Sequence, residues 1–100
     1  LAFNKYCRSV TNYIAQYYVL LGGVDAICFA AGIGENSIPT RRKICENLAC
    51  LGVKIDIDKN NVYGEYTKIS TDDSEIGVYV VPTNEELMIA RDTLFLIKNS

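Results

Sequence analysis

The sequence contains no histidine, which removes the commonest general base and the usual Ser–His and Cys–His nucleophile arrangements. Its four cysteines, Cys7, Cys28, Cys45 and Cys50, include no C-x-x-C pair, and with no histidine beside them neither zinc spacing nor a disulfide framework is indicated. Reduced thiols and a cytoplasmic location are the simplest expectation. No apolar run approaches the roughly 20 residues that a membrane span requires, and no signal-peptide pattern opens the chain. Excess charge is absent too: 10 Lys and Arg against 12 Asp and Glu leave a net charge of −2, which offers no footprint for nucleic acid. The single methionine is Met88, so the 100 residues begin without an initiator, and they begin inside a helical pattern. Both features are expected of a piece of a longer protein, and the length is that of one domain.

What is present reads as alternating helices and strands. Phe3, Tyr6, Cys7, Val10, Tyr13, Ile14, Tyr17, Leu20 and Leu21 recur at three- and four-residue steps, predicting an amphipathic helix stopped by Gly22-Gly23. Its tyrosines fit a core stripe with wet hydroxyl tips better than a ligand platform. Val24 to Ala31 is nearly continuous apolar sequence, as in a strand buried on both faces of a parallel sheet. A Gly-bearing turn follows, then a helix over 38–51 with Pro39 in its first turn and Gly52 as its stop. Val53 to Ile57 alternates as a second strand, which closes a βαβ unit. A short strand is expected over 65–70, a buried one over 77–81, and a C-terminal helix over 84–98 with Thr83 and Glu86 as a T-x-x-E capping box. The predicted fold class is α/β, a layered βαβ unit with additional strands and a C-terminal helix, in one domain over residues 1–100.

Two stretches can carry chemistry. Gly32 and Gly34 follow a strand and precede a helix, so a nucleotide could approach the main chain there; a tight turn that binds nothing is the alternative. Gly32 and Gly34 also begin a dinucleotide fingerprint, with Asp56 or Asp58 as its acid, but Ser37 stands where a small Gly or Ala would allow close packing. Asn36 and Ser37 can both cap the helix. In Pro82-Thr83-Asn84-Glu85-Glu86, Glu86 has the capping task. Glu85 has none, and is either a solvated acid favoured by the helix dipole or a carboxylate for Mg²⁺. Arg41, Arg42 and Lys43 read as a solvated helix face rather than a phosphate clamp.

Taken together, D-A-I-C-F-A-A-G-I-G-E-N-S, the R-R-K helix ending in L-A-C-L-G-V-K-I-D, I-S-T-D-D-S and V-V-P-T-N-E-E-L-M-I-A-R-D-T resemble the C-terminal end of acetate kinases, and Y-I-A-Q-Y-Y-V-L-L-G-G-V-D fits the same family. The resemblance runs in order over essentially the whole chain. It implies part of an actin, Hsp70 and sugar-kinase-like (ribonuclease H-like) domain that binds ATP or ADP, and a parent that transfers the γ-phosphoryl of ATP reversibly to acetate. It further implies that Gly32, Ile33 and Asn36 line the adenosine, that Gly34 permits the turn, and that Glu85 helps hold the Mg²⁺ that accompanies ATP. Ala30 and Ala31 stand where many members have Thr and Gly. The residues that contact the transferred phosphoryl and the acetate lie upstream in the family, so no catalytic residue is expected here and the isolated chain should be inactive. A homodimer is implied as well. A propionate kinase, a dinucleotide-binding Rossmann-like module and a non-catalytic interaction piece are the competing readings.

Overall fold

The computed structural model describes residues 2–30, 37–62, 65–82, 85–91 and 94–99. Helices α1 (Ala2–Leu21) and α2 (Ser37–Asn47), the latter followed by a 3₁₀ turn (Ala49–Leu51), accompany strands β1 (Ala26–Ala30), β2 (Thr67–Lys68), β3 (Gly77–Val81), β4 (Glu85–Arg91) and β5 (Leu94–Asn99). The strands form one mixed sheet in the order β2-β3-β1-β4-β5, with β1 parallel to β3 and antiparallel to β4.

Helix α1 buries Cys7, Val10 and Ile14, a single stripe at helical spacing. The stripe is narrower than the sequence predicts, since Phe3, Tyr6 and Leu20 are exposed. Tyr13 and Tyr17 pack at the margin of the core with ring centroids 4.9 Å apart. The helix closes as a Schellman motif: Gly23 N–H donates to Tyr18 O (2.8 Å) and Gly22 N–H to Val19 O (3.2 Å). Gly22 takes φ 74°, which a β-carbon would strain. Gly52 ends the 3₁₀ turn at φ 97°, and a Cβ there would lie 2.8 Å from that of Glu75.

The sheet packs its core in two rows across three strands. Val78, Ile27 and Ile89 are register partners, as are Val80, Phe29 and Leu87, and all six are buried. These rows join α1, α2 and Val24, Val53, Ile69 and Ile76 in one apolar cluster. Alternate residues of β1 are only half-buried, so the strand has one packed face rather than the two expected.

Two further expectations are corrected. Val53 to Ile57 is not a strand of the sheet: Ile55 makes an isolated antiparallel bridge to Ser70, supported by Asp56 N–H to Ile69 O (2.8 Å) and Thr71 N–H to Lys54 O (2.9 Å). The parallel neighbour of β1 is β3, whose Val78 and Val80 fill the core position, while Ile57 is half in solvent. The C-terminal helix is likewise absent, because residues 85–91 and 94–99 pair as an antiparallel hairpin. Leu87 and Ile89, two residues apart, are buried against β1, so period-two burial along an open strand edge overrides the local helical pattern. Glu86 therefore lies in a strand and not at a helix start; its proposed partner Thr83 is outside the described residues.

Candidate functional site

Parallel pairing brings two stretches to one edge of the sheet. Ala30 and Val81 are register partners at the carboxyl ends of β1 and β3, and the chain continues from them into 31–36 and into 82–84. Glu85 then opens β4 two residues before Leu87, the partner of Phe29 near the end of β1. The glycine-bearing stretch and Glu85 are thus tied to the same carboxyl-terminal edge, where open α/β sheets take their ligands. Gly32, Ile33, Gly34 and Asn36 themselves lie outside the described residues.

On the far side of 31–36, the start of α2 is fixed by a buried cation. Arg41 is 2% and Asn60 1% exposed. The guanidinium donates from Nε to Asn60 Oδ1 (2.7 Å) and from Nη2 to Asn60 O (2.8 Å) and Val62 O (2.9 Å). Asn60 Nδ2 in turn donates to Ile38 O in the first turn of α2 (3.1 Å). The expected solvated face is therefore wrong for Arg41: three oxygens around a planar fork make burial of its charge tolerable. It holds for Arg42, which pairs across one turn with Glu46 (3.2 Å), both half-exposed. Residues 41 and 60 are far apart in sequence with no local signal linking them, and sequence reasoning missed the pair.

Asp56 has a local task. Its Oδ1 accepts from Asp58 N–H (3.0 Å) and Lys59 N–H (3.2 Å), shaping the turn that delivers Asn60 to Arg41. All four cysteines are free thiols. Burial pushes the Cys45 thiol up to about 12, only partly offset by Arg41, and burial raises that of Cys28, so neither is a thiolate nucleophile at neutral pH. Among the described residues no cluster of three Cys, Asp or Glu could hold a metal, and no helix is long and apolar enough to cross a membrane.

This mixed α/β arrangement has close relatives. A profile of the Acetokinase family matches residues 1–91. The acetate kinase of Treponema denticola is 54% identical over 98 residues, covering 98% of this chain and 25% of the relative. That of Finegoldia magna is 57% identical over 98 residues, with the same coverage of 98% and 25%. Among solved structures, Porphyromonas gingivalis acetate kinase superposes with a TM-score of 0.75 at 36% identity, over 83% of this chain and 21% of that one. A propionate kinase from Francisella tularensis gives a TM-score of 0.69 at 36% identity, over 86% and 22%. The fold and the relatives together define one class, whose matched members bear the names acetate kinase and propionate kinase. The chain belongs to the acetokinase family, and it spans about a quarter of the length of the curated relatives it matches.

Proposed function

We propose that this chain is the adenosine-binding, C-terminal part of a cytoplasmic acetate kinase, which passes the γ-phosphoryl of ATP reversibly to acetate and yields acetyl phosphate and ADP. In this reading Gly32, Ile33 and Asn36 line the adenine and ribose, Gly34 allows the turn, and Glu85 helps hold the Mg²⁺ of the MgATP substrate. The observation that carries it is the Ala30–Val81 register, from which both motif-bearing stretches depart at one sheet edge. Family membership supplies the chemistry: phosphoryl transfer proceeds by positioning and charge neutralisation. The chain's own contribution is to orient the nucleoside, while the groups acting on acetate and phosphoryl belong to the rest of the parent, a homodimer. The part belongs to an actin and sugar-kinase-like domain.

The Francisella relative supports propionate as an alternative acceptor, since the acyl-contacting groups lie outside this chain. The dinucleotide reading loses ground because Asp56, one of its two candidate ribose acids, accepts from its own turn. Titration of the ¹⁵N-labelled chain with ADP and with NAD tests the proposal. ADP should shift the resonances of residues 32–36 at least as strongly as NAD. Preferential NAD binding with shifts reaching Asp56 would sink it.

A further inference from the structure

Helices α1 and α2 enclose a groove of about 330 Å³ lined by Asn4, Arg8 and Thr11 on one wall and Lys43 and Asn47 on the other. The spacing puts each set on one stripe of its helix, four residues and then three apart on α1 and four apart on α2. Among the described residues no acid lines the groove, although acidic residues outnumber basic ones in the chain. Neither Arg8 nor Lys43 has an ion pair among the described residues, and Glu46, one turn from Lys43, is engaged by Arg42. Two unpaired cations on facing walls repel one another unless an anion lies between them. The neutral side chains are already oriented: Asn47 Nδ2 donates to Thr11 Oγ1 (3.1 Å), and Thr11 Oγ1 donates to the Cys7 carbonyl (2.7 Å). The second N–H of the Asn47 amide remains available to an acceptor.

We propose that this groove binds a phosphate group, free or as the monoester of a small molecule. A phosphate dianion has three or four acceptor oxygens to meet a guanidinium and an ammonium on opposite walls at once, with the Asn4 and Asn47 amides as neutral donors. A carboxylate, with one charge and two oxygens, satisfies one wall. The site is independent of the nucleotide reading above, since Lys43 and Asn47 stand in the second and third turns of α2, away from its start.

The test is a titration of the ¹⁵N-labelled 100-residue chain at constant ionic strength with inorganic phosphate, glycerol 3-phosphate, acetate and chloride. Saturable shifts at Asn4, Arg8, Thr11, Lys43 and the side-chain amide of Asn47 are expected with one or both phosphates; which of the two binds more tightly identifies the source. Arg8→Gln and Lys43→Gln should each weaken binding roughly fivefold, and the double variant should show no saturable shifts over the same phosphate range. Both side chains are exposed, so unchanged urea midpoints will show that the variants fold. Shifts that chloride or acetate reproduces, or that survive in the double variant, would overturn the assignment.

Discussion

Replacing Asn60 by alanine should be among the most damaging single changes outside the apolar core. The substitution removes Oδ1, which accepts from Arg41 Nε at 2.7 Å, and Nδ2, which donates to Ile38 O at 3.1 Å. The first is a hydrogen bond from a charged donor, worth about 1.5–3 kcal/mol, and the second a neutral one worth about 0.5–1.5 kcal/mol. The first site is buried and the second part-buried, so water does not fully replace either partner, and a loss of about 2–4 kcal/mol follows. That is a large share of the roughly 5–15 kcal/mol by which a domain is stable. Asn60→Asp keeps an acceptor for Arg41 but sets a carboxylate against the Ile38 carbonyl, so it should recover only the Arg41 part. Urea unfolding followed by circular dichroism, on wild type, Asn60→Ala, Arg41→Ala and the double variant, measures each loss and the coupling between them. A coupling of at least about 1 kcal/mol is expected for groups in direct buried contact. An Asn60→Ala midpoint within about 0.5 kcal/mol of wild type, or strict additivity of the two variants, would refute the view that this pair anchors the start of α2.

Other outcomes follow from the same structure. Gly52→Ala should destabilise by about 1 kcal/mol or more in thermal melts, because φ 97° is unfavourable to a side chain and the new Cβ meets Glu75. The Cys45 thiol is neutral in the fold up to about 12 but ionises in the unfolded chain near 9, so its contribution is intact below pH 9 and is lost as pH rises from 9 to 12. Urea midpoints between pH 8 and 10.5 should fall more steeply for wild type than for Cys45→Ala; parallel slopes would contradict this. In the full-length parent, Glu85→Ala should lower turnover and raise the Mg²⁺ requirement, whereas Glu86→Ala, now in a strand, should change stability by no more than about 0.5 kcal/mol; a normal Mg²⁺ dependence for Glu85→Ala would return that residue to a structural role. The isolated chain should form no acetyl phosphate in a hydroxamate assay, and turnover near the roughly 1–100 per second of ordinary kinases would contradict the division of labour proposed here.

The parts of the fold legible in the sequence are those written in local periodicity or in glycine. The Cys7, Val10 and Ile14 stripe, the Gly22-Gly23 and Gly52 stops and the apolar blocks of β1 and β3 all belong to this group. Pairing was less legible, because a strand's neighbour is chosen by the whole chain. Residues 53–57 alternate well enough for a strand, yet Val78 and Val80 occupy the place beside Ile27 and Phe29. Residues 84–98 carry a helical arrangement of apolar positions, but Leu87 and Ile89 equally satisfy period two, and the open edge of β1 decided between the readings. The candidate site was legible only as motifs; the register of Ala30 with Val81 is what relates them. Arg41 shows the limit most clearly, since a cation in an R-R-K run reads as solvated until Asn60 is known to face it.

The position of β1 between two later strands also governs how the chain emerges from synthesis. Ala26–Ala30 is complete well before β3 at Gly77–Val81 exists, and its other neighbour, β4, comes later still, at Glu85–Arg91. At about 5–20 residues per second, several seconds separate the making of β1 from that of its last partner. During that interval both edges of a short apolar strand bearing Ile27 and Phe29 present unpaired backbone groups, the surface that recruits foreign strands. Lesions in the β4–β5 hairpin should accordingly reduce soluble yield in cells more than the equilibrium stability of the purified protein would suggest. The β4–β5 hairpin thus acts as the cover for a strand made well before it.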